Sequence, residues 1–181
     1  CAALPAVVAD LCRFIRLTGC RPGEASRATR QEFDVSAVPW VWRPSRHKTE
    51  HHGKSRVIAC GPRARAILER WWAGKEPGAT VFGKSDLRRE AANVISIRPA
   101  APADDVFTAD DLRQRVERAA ARVGVPHWCP YQLRHAGLTA MRQTGGLDAA
   151  QAQAGHSDPR ITERYAAPDV ARQAAAVEAA G

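Results

Sequence analysis

Two short strand-like segments joined by a basic hairpin constrain the fold of this chain more than any other feature. Residues 38–43 alternate tryptophan with β-branched residues, and residues 55–60 form a second such run that ends at Gly61-Pro62. The polar stretch between them predicts an antiparallel pair with Lys48 at the turn. Most other periodic segments have apolar residues at helical spacing. The sequence therefore predicts an α+β, mainly helical domain with a small antiparallel sheet at one edge.

Apolar residues recur at helical spacing along most of the rest of the chain. The predicted helices are residues 4–17, 24–30, 63–73, a helix capped at Thr108, a helix opening at 130, 147–154 and 169–180. We expect Ile67, Leu68 and Trp71 to be buried in the third of these helices. Val123 should lie on the buried face of the fourth. Residues 84–109 are rich in alanine, proline and aspartate with weak periodicity, which favours a loop or an insertion.

Length and charge limit the possible classes of protein. The 181 residues fit one domain, and because the sequence starts at Cys1 rather than at Met we expect a fragment of a longer protein. A formal net charge of +8 favours an anionic partner, of which nucleic acid is the commonest class. A merely basic soluble protein is the alternative. The sequence has no apolar run of about eighteen residues, so we predict no transmembrane segment.

Cysteine and histidine spacing argues against a metal or disulfide framework. The five cysteines are odd in number and scattered, without a CxxC pair, which fits a reducing cytosol. His47, His51 and His52 lie together in the hairpin, but no cysteine or carboxylate cluster accompanies them. Because histidines on exposed hairpins are common, we predict no metal site there.

A Gly/Pro-rich turn between two predicted helices carries Arg21. Such a turn can hold an arginine rigidly and aim its side chain inward. Glu24, three residues later, could orient the guanidinium through a charge-assisted hydrogen bond. The alternative is a surface arginine at a helix end.

A second candidate segment lies near the end of the chain and carries Tyr165. Gly155-His156 ends one helical pattern, and Asp158-Pro159 is typical of the start of another. The arrangement places a phenol on a short helix beside an imidazole. On its own this pattern is weak, because a tyrosine on an amphipathic turn more often packs than reacts.

Four segments, taken in order, resemble the catalytic domain of the tyrosine recombinase or phage integrase family. They are the arginine box at Arg21 and Glu24, the hairpin lysine segment at Lys48 and Lys54, the box of Tyr131, Arg134 and His135, and the pair Gly155-His156 followed by Tyr165. Each box alone is moderately specific. Four in order, spread over nearly the whole chain, are a strong signal.

The resemblance implies a chemistry for these residues. Tyr165 attacks a DNA phosphodiester and forms a 3′-phosphotyrosyl link, so neither ATP nor a metal nor another cofactor is required. Arg21 and Arg134 hold the phosphate. Lys48 protonates the leaving 5′ oxygen, with Lys54 as second choice, and His156 donates to the phosphate. Glu24, Tyr131 and His135 are expected to support these groups.

The resemblance also implies partners and an assembly. Double-stranded DNA is the expected substrate, bound by a homo-oligomer, a tetramer, in the cytoplasm at the nucleoid. The family normally carries an N-terminal DNA-clamping domain that residues 1–181 do not include. Residues 169–181 are expected to dock on a neighbouring protomer, and the alternative is a helix that closes its own core.

The sequence departs from the family at Tyr131, where histidine is usual. A phenol can donate a hydrogen bond to a phosphate oxygen, but it cannot carry the charge of an imidazolium. Because an aromatic residue in a core is rarely replaced without cost, we expect Tyr131→His to be neutral or harmful to cleavage.

Three other functions remain open from the sequence. A type IB topoisomerase-like enzyme shares the chemistry but relaxes supercoils without exchanging strands. A degenerate domain that only binds DNA is favoured by the departure at Tyr131. An unrelated basic helical binding module is disfavoured by the four ordered boxes.

Overall fold

Residues 3–45, 56–92 and 105–155 are described in the computed structural model of the chain. Their elements are, in chain order, α1 (Ala6–Thr18), α2 (Pro22–Arg27), a 3-10 turn (Arg30–Glu32), β1 (Phe33–Asp34), β2 (Trp40–Trp42), β3 (Ile58–Cys60), α3 (Pro62–Trp72), α4 (Lys84–Ala92), α5 (Ala109–Arg122) and α6 (Pro130–Ala154). No helix in this part of the chain is long and apolar enough to cross a membrane. The mainly helical class with a small antiparallel sheet is confirmed.

Helix α1 forms the centre of the core. Most of its apolar residues are buried, among them Leu11, Phe14 and Ile15, and Leu17 is half-buried. The helix contacts α3, α4, β3 and, most extensively, α6. It ends at Gly19, which takes the left-handed conformation (φ 63°) and donates its N–H to the carbonyl of Ile15. The predicted helix at 4–17 is confirmed.

The sheet lies against α1 through large aromatic residues. Strand β2 pairs antiparallel with both β1 and β3, and the register places Trp42 opposite Phe33 and Ile58. Trp42 stacks on Phe33 with ring centroids 5.4 Å apart, and it meets Phe14 of α1 at 5.6 Å. The strands predicted at 38–43 and 55–60 are confirmed in shorter form, and β1 was missed because it has only two residues.

Two predictions about helices are wrong in detail. Residues 84–92 form α4 rather than a loop. This helix has little apolar periodicity because it is held by Asp86, which accepts from the backbone N–H of Gly83 and pairs with Lys75. Helix α2 ends at Arg27, three residues early.

Burial in α3 and α5 also differs from the prediction. In α3, Leu68 and Trp72 are buried, whereas Ile67 and Trp71 are only half-buried. Trp71 packs at the edge of the core, where its indole N–H donates to Asp10 Oδ2 at 2.9 Å. Val123 is exposed because α5 ends at residue 122, so its face no longer points inward.

The two helices predicted after residue 130 are confirmed, and they meet at a kink inside the span that is labelled α6. Helix α6 runs from Pro130 to Ala154 with a break at Gly146, where φ is 85° and ψ is 178°. Glycine adopts this conformation without the steric penalty that a side chain would bring. The hairpin tip with Lys48 and the helix predicted at 169–180 lie outside the described residues.

Candidate active site

Arg21 is held by a carboxylate one helical turn away. Arg21 is the N-cap residue of α2, and its backbone N–H donates to Glu24 Oε2 at 2.8 Å. Its guanidinium Nη1 donates to Glu24 Oε1 at 2.7 Å. Glu24 is 3% exposed, whereas the side chain of Arg21 keeps 21% of its surface open. The carboxylate therefore fixes a guanidinium that still reaches solvent, as the spacing predicted.

Arg134 joins the turn that carries Arg21 to the far end of α6. Its Nη1 donates to the carbonyl of Gly19 at 2.6 Å, and its Nη2 donates to the carbonyl of Ala154 at 3.0 Å. The side chain is 0% exposed. Gly19 lies two residues before Arg21, so the structure brings the segment that carries Arg21 and the segment that carries Arg134 to one place.

The approach of α6 to α1 depends on Gly137. A Cβ atom built on this residue would lie 2.5 Å from the carbonyl oxygen of Arg16, far inside van der Waals contact. Glycine thus lets the two helices touch one turn beyond Arg134. This close approach sets the distance over which Arg134 reaches Gly19.

A third arginine, Arg56, enters the same cluster and was missed from the sequence. Its Nη1 donates to the carbonyl of Gln153 at 2.7 Å, and its Nε lies 3.7 Å from Glu24 Oε1. Arg56 is 5% exposed, and burial lowers its pKa to about 10 against the opposing attraction of Glu24. Residue 56 shares the period-two face of Ile58 and Cys60, both buried. A charged residue on the inward face of a predicted strand was the available signal.

The end of α6 explains why two arginines collect there. The last carbonyls of a helix have no partner within it and carry the negative end of its dipole. Gln153 and Ala154 contribute two such carbonyls, which accept from Arg56 and Arg134 respectively. Gly155 follows in the left-handed conformation (φ 64°), and a Cβ atom there would lie 2.5 Å from Arg56 Nη1. The glycine of the Gly-His pair therefore leaves room for Arg56.

The side chain of Gln153 fastens three elements beside the cluster, and the sequence did not suggest it. Its Nε2 donates to the carbonyls of Thr18 at 2.8 Å and Ala59 at 2.9 Å. Its Oε1 accepts from the N–H of Ala59 at 3.1 Å. One amide thus connects α1, β3 and α6.

The cluster carries more positive than negative charge. The guanidiniums of Arg21 and Arg56 lie 2.7 Å and 3.7 Å from the Glu24 carboxylate, and the charge of Arg134 is close enough to Arg56 to lower its pKa. Burial raises the pKa of the neighbouring Cys20 thiol to about 12, so this group stays neutral at pH 7. Buried charge of one sign favours a bound anion. Within the described residues, no group of three or more metal-binding side chains occurs.

Tyr131 is not the core aromatic that the sequence suggested. It is 43% exposed, in the first turn of α6, and its ring meets His135 edge-on with centroids 4.9 Å apart. Burial lowers the pKa of His135, and the charge of Arg134 lowers it further. His135 therefore favours its neutral form at pH 7. Lys48, Lys54, His156 and Tyr165 lie outside the described residues.

Comparison with known proteins agrees with this geometry. Residues 2–172 match the model of the phage integrase family. Over 114 residues the chain is 33% identical to tyrosine recombinase XerC of Bifidobacterium longum (strain DJO10A). These aligned residues make up 62% of this chain and 31% of the relative. The chain therefore spans about a third of the length of that curated relative.

Solved structures show the same fold. The Tn1549 transposon integrase in complex with circular intermediate DNA superposes with a TM-score of 0.65 at 20% identity, over 95% of this chain and 59% of that one. The XerH site-specific recombinase bound to difH substrate gives 0.61 at 20% identity, over 96% and 48%. The family match over nearly the full length, together with this fold, establishes that the chain belongs to the phage integrase family.

Proposed function

We propose that residues 1–181 are the catalytic domain of a site-specific DNA recombinase that cleaves and rejoins strands through a 3′-phosphotyrosyl intermediate. The observation that carries the proposal is that Arg21 and Arg56 share one buried carboxylate, Glu24, while Arg134 binds the carbonyl of Gly19 two residues before Arg21. Such a cluster is suited to a phosphodiester, whose non-bridging oxygens gain charge during attack. The family membership and the relatedness to XerC support the same activity.

In this proposal Arg21 is the arginine that the phosphate meets first. Its side chain is partly open, and Glu24 sets its plane through the hydrogen bond at Oε1. Arg134 contributes positive charge from the interior of the protein. The plane of its guanidinium is fixed by hydrogen bonds to the carbonyls of Gly19 and Ala154. Because Arg134 is fully buried, it acts on the phosphate in this proposal through its charge rather than through direct contact.

The remaining steps belong to residues outside the described part of the chain. Tyr165 Oη attacks phosphorus, the bond to the 5′ oxygen breaks, and the tyrosine stays linked to the 3′ phosphate. Free tyrosine has a pKa of about 10, so its proton must pass to a nearby group or to water during attack. Lys48 protonates the departing oxygen, with Lys54 as second choice, and His156 donates to the phosphate. The phosphotyrosyl bond conserves the energy for rejoining, so neither ATP nor a metal is needed.

We further propose that the domain acts on double-stranded DNA as a homo-tetramer, in the cytoplasm at the nucleoid. The XerH neighbour is described with its difH substrate, which supports DNA as the partner. Residues 169–181 dock on the adjacent protomer in this assembly. Deleting them should abolish assembly on DNA and leave the melting temperature of the domain unchanged. A clear fall in melting temperature would instead indicate a helix that closes its own core.

Two other functions compete with this proposal. A domain that only binds DNA is favoured by Tyr131, because the phenol there cannot supply the charge that histidine provides elsewhere in the family. A type IB topoisomerase-like enzyme would form the same adduct and relax supercoiled plasmid without exchanging strands.

Covalent capture on a nicked suicide substrate separates an enzyme from a binding domain. The chain contains two tyrosines, Tyr131 and Tyr165, which allows a matched pair of variants. Tyr165→Phe should abolish the adduct and keep DNA binding, since only a hydroxyl is removed. Tyr131→Phe should still form the adduct. Capture that survives Tyr165→Phe and disappears in Tyr131→Phe would place the nucleophile at residue 131, and no capture by the wild-type chain would indicate a binding domain.

A further inference from the structure

Arg56 is buried in the cluster, yet the proposed chemistry assigns it no part. Its side chain is 3% exposed and that of Arg21 is 21% exposed, so a DNA phosphate would meet Arg21 before it reached Arg56. Its Nη1 already donates a hydrogen bond to the carbonyl of Gln153. A buried guanidinium in this position needs another explanation than direct contact with substrate.

Burial of Arg56 also lowers the stability of the fold. Among the described residues, no acceptor lies within hydrogen-bond distance of its buried Nε and Nη2 atoms. Unpaired buried donors reduce the free energy of unfolding, and each such group in a folded protein calls for an explanation. The nearest negative charge, Glu24 Oε1, is 3.7 Å from Nε, and it already accepts from Arg21 Nη1 at 2.7 Å. The two arginines therefore share one carboxylate oxygen.

This sharing places Arg56 between the two parts of the site. On one side lies Glu24, which holds Arg21. On the other lies the last turn of α6, where Arg56 binds the carbonyl of Gln153 and passes against Gly155. These contacts join β3, α2 and α6 across 97 residues of sequence.

We propose that Arg56 is a positioning residue for DNA cleavage, which fixes the Glu24–Arg21 pair relative to the chain leaving α6 at Gly155. The inference rests on the proposed function. Without Arg56, the Glu24 carboxylate loses the charge that holds it towards α6, and the Arg21 guanidinium moves with it. A displacement of about 1 Å in a group that contacts the transition state can slow a reaction about 100-fold.

The test measures covalent capture by the full chain with two versions of the suicide substrate. One carries the normal scissile phosphodiester, and the other carries a neutral methylphosphonate there. Arg56→Met removes the charge at similar length. Because Arg21 acts on the charge of the phosphate, misplacing it should slow capture of the phosphodiester about 100-fold and that of the methylphosphonate less than about 5-fold. Arg118→Met is the matched control and should change neither rate, since Arg118 is an exposed arginine of α5 that donates to Gln114 of the same helix.

Equal slowing on both substrates would mean that Arg56 only supports the fold, and no slowing would mean that it has no part in cleavage. Either result overturns the inference while leaving the proposed function intact. Failure of the wild-type chain to capture the phosphodiester would overturn the proposed function, and the inference with it.

A second measurement guards against partial unfolding of Arg56→Met or slow capture of the neutral substrate. If Arg56 acts through Glu24, the double variant Arg56→Met/Glu24→Gln should capture the phosphodiester about as slowly as the slower single variant. Rates that multiply would contradict the inference. Arg56→Lys should recover only part of the rate, because a lysine head cannot bind Gln153 and face Glu24 as a planar fork does.

Discussion

Replacing Glu24 with glutamine should destabilise the protein and slow DNA cleavage together. The carboxylate uses both oxygens, because Oε1 accepts from Arg21 Nη1 and Oε2 accepts from the backbone N–H of Arg21. A glutamine side chain has one acceptor oxygen, so its NH2 group would face one of these donors. The change also removes the only carboxylate near Arg56 among its described neighbours.

The size of the effect follows from these contacts. Each hydrogen bond to a charged group is worth about 1.5–3 kcal/mol, and breaking a buried ion pair costs about 3–5 kcal/mol. Because the guanidinium of Arg21 can turn towards solvent, we take the lower end, about 3 kcal/mol. For a chain of this length that corresponds to a fall in melting temperature of about 6–12 °C.

Urea denaturation followed by tryptophan fluorescence measures this loss, since Trp42 lies in the core beside β1 and α1. Glu69→Gln is the matched control, because Glu69 pairs with Arg65 on the exposed face of α3. Such pairs contribute less than about 1 kcal/mol. A loss of less than about 1 kcal/mol for Glu24→Gln would refute the account of a carboxylate shared by two arginines.

Three further predictions test other contacts. Gly137→Ala should lower the free energy of unfolding, measured by urea denaturation, by about 1–3 kcal/mol, because the added Cβ would clash with the Arg16 carbonyl. No change would show that α1 and α6 have room to separate. The pKa of Asp111 is lowered to about 2, chiefly by Lys84. Because the pair is screened by solvent, its contribution of less than about 1 kcal/mol is present above about pH 4 and lost as pH falls towards about 2. Asp111→Asn should flatten this part of a pH titration of the urea midpoint, and an unaltered titration would contradict the pairing. Tyr131 is exposed rather than in the core, which removes the reason to expect Tyr131→His to be neutral or harmful. The change should leave stability within about 0.5 kcal/mol and raise the rate of covalent capture below about pH 7, where the imidazole gains charge. A lower rate would show that the phenol itself is needed.

Local patterns were predictable because their causes lie within a few residues. The pairing of Arg21 with Glu24 follows from their spacing at the start of a helix, and the structure has it at 2.7 Å. Helix α1 follows from apolar spacing along residues 4–17. In the same way the strands near 38–43 and 55–60 follow from alternation. Helix α4 was missed because Asp86 and its polar contacts hold it, and these leave no apolar period.

Contacts between distant segments could not be predicted from the same patterns. Arg56 reaches a carbonyl 97 residues away, and Gln153 reaches Thr18 across 135 residues. Nothing near either residue in sequence specifies these partners, which depend on how β3, α1 and α6 pack. Resemblance identified Arg134, but its bonds to the carbonyls of Gly19 and Ala154 are visible only in the folded chain. The exposure of Tyr131 likewise depends on the packing of α6 against the rest of the domain. Tyr131 is exposed in the first turn of this helix, whereas Arg134, further along, is buried.

Mass spectrometry of the trapped protein–DNA adduct tests the central claim most directly. The wild-type chain is captured on a suicide substrate, digested with nuclease and trypsin, and searched for peptides that retain a nucleotide. We expect the nucleotide on Tyr165, within the tryptic peptide that follows Arg164 and ends at Arg172. A nucleotide carried by any other residue, or a Tyr165 peptide recovered unmodified from purified adduct, would contradict the proposed mechanism.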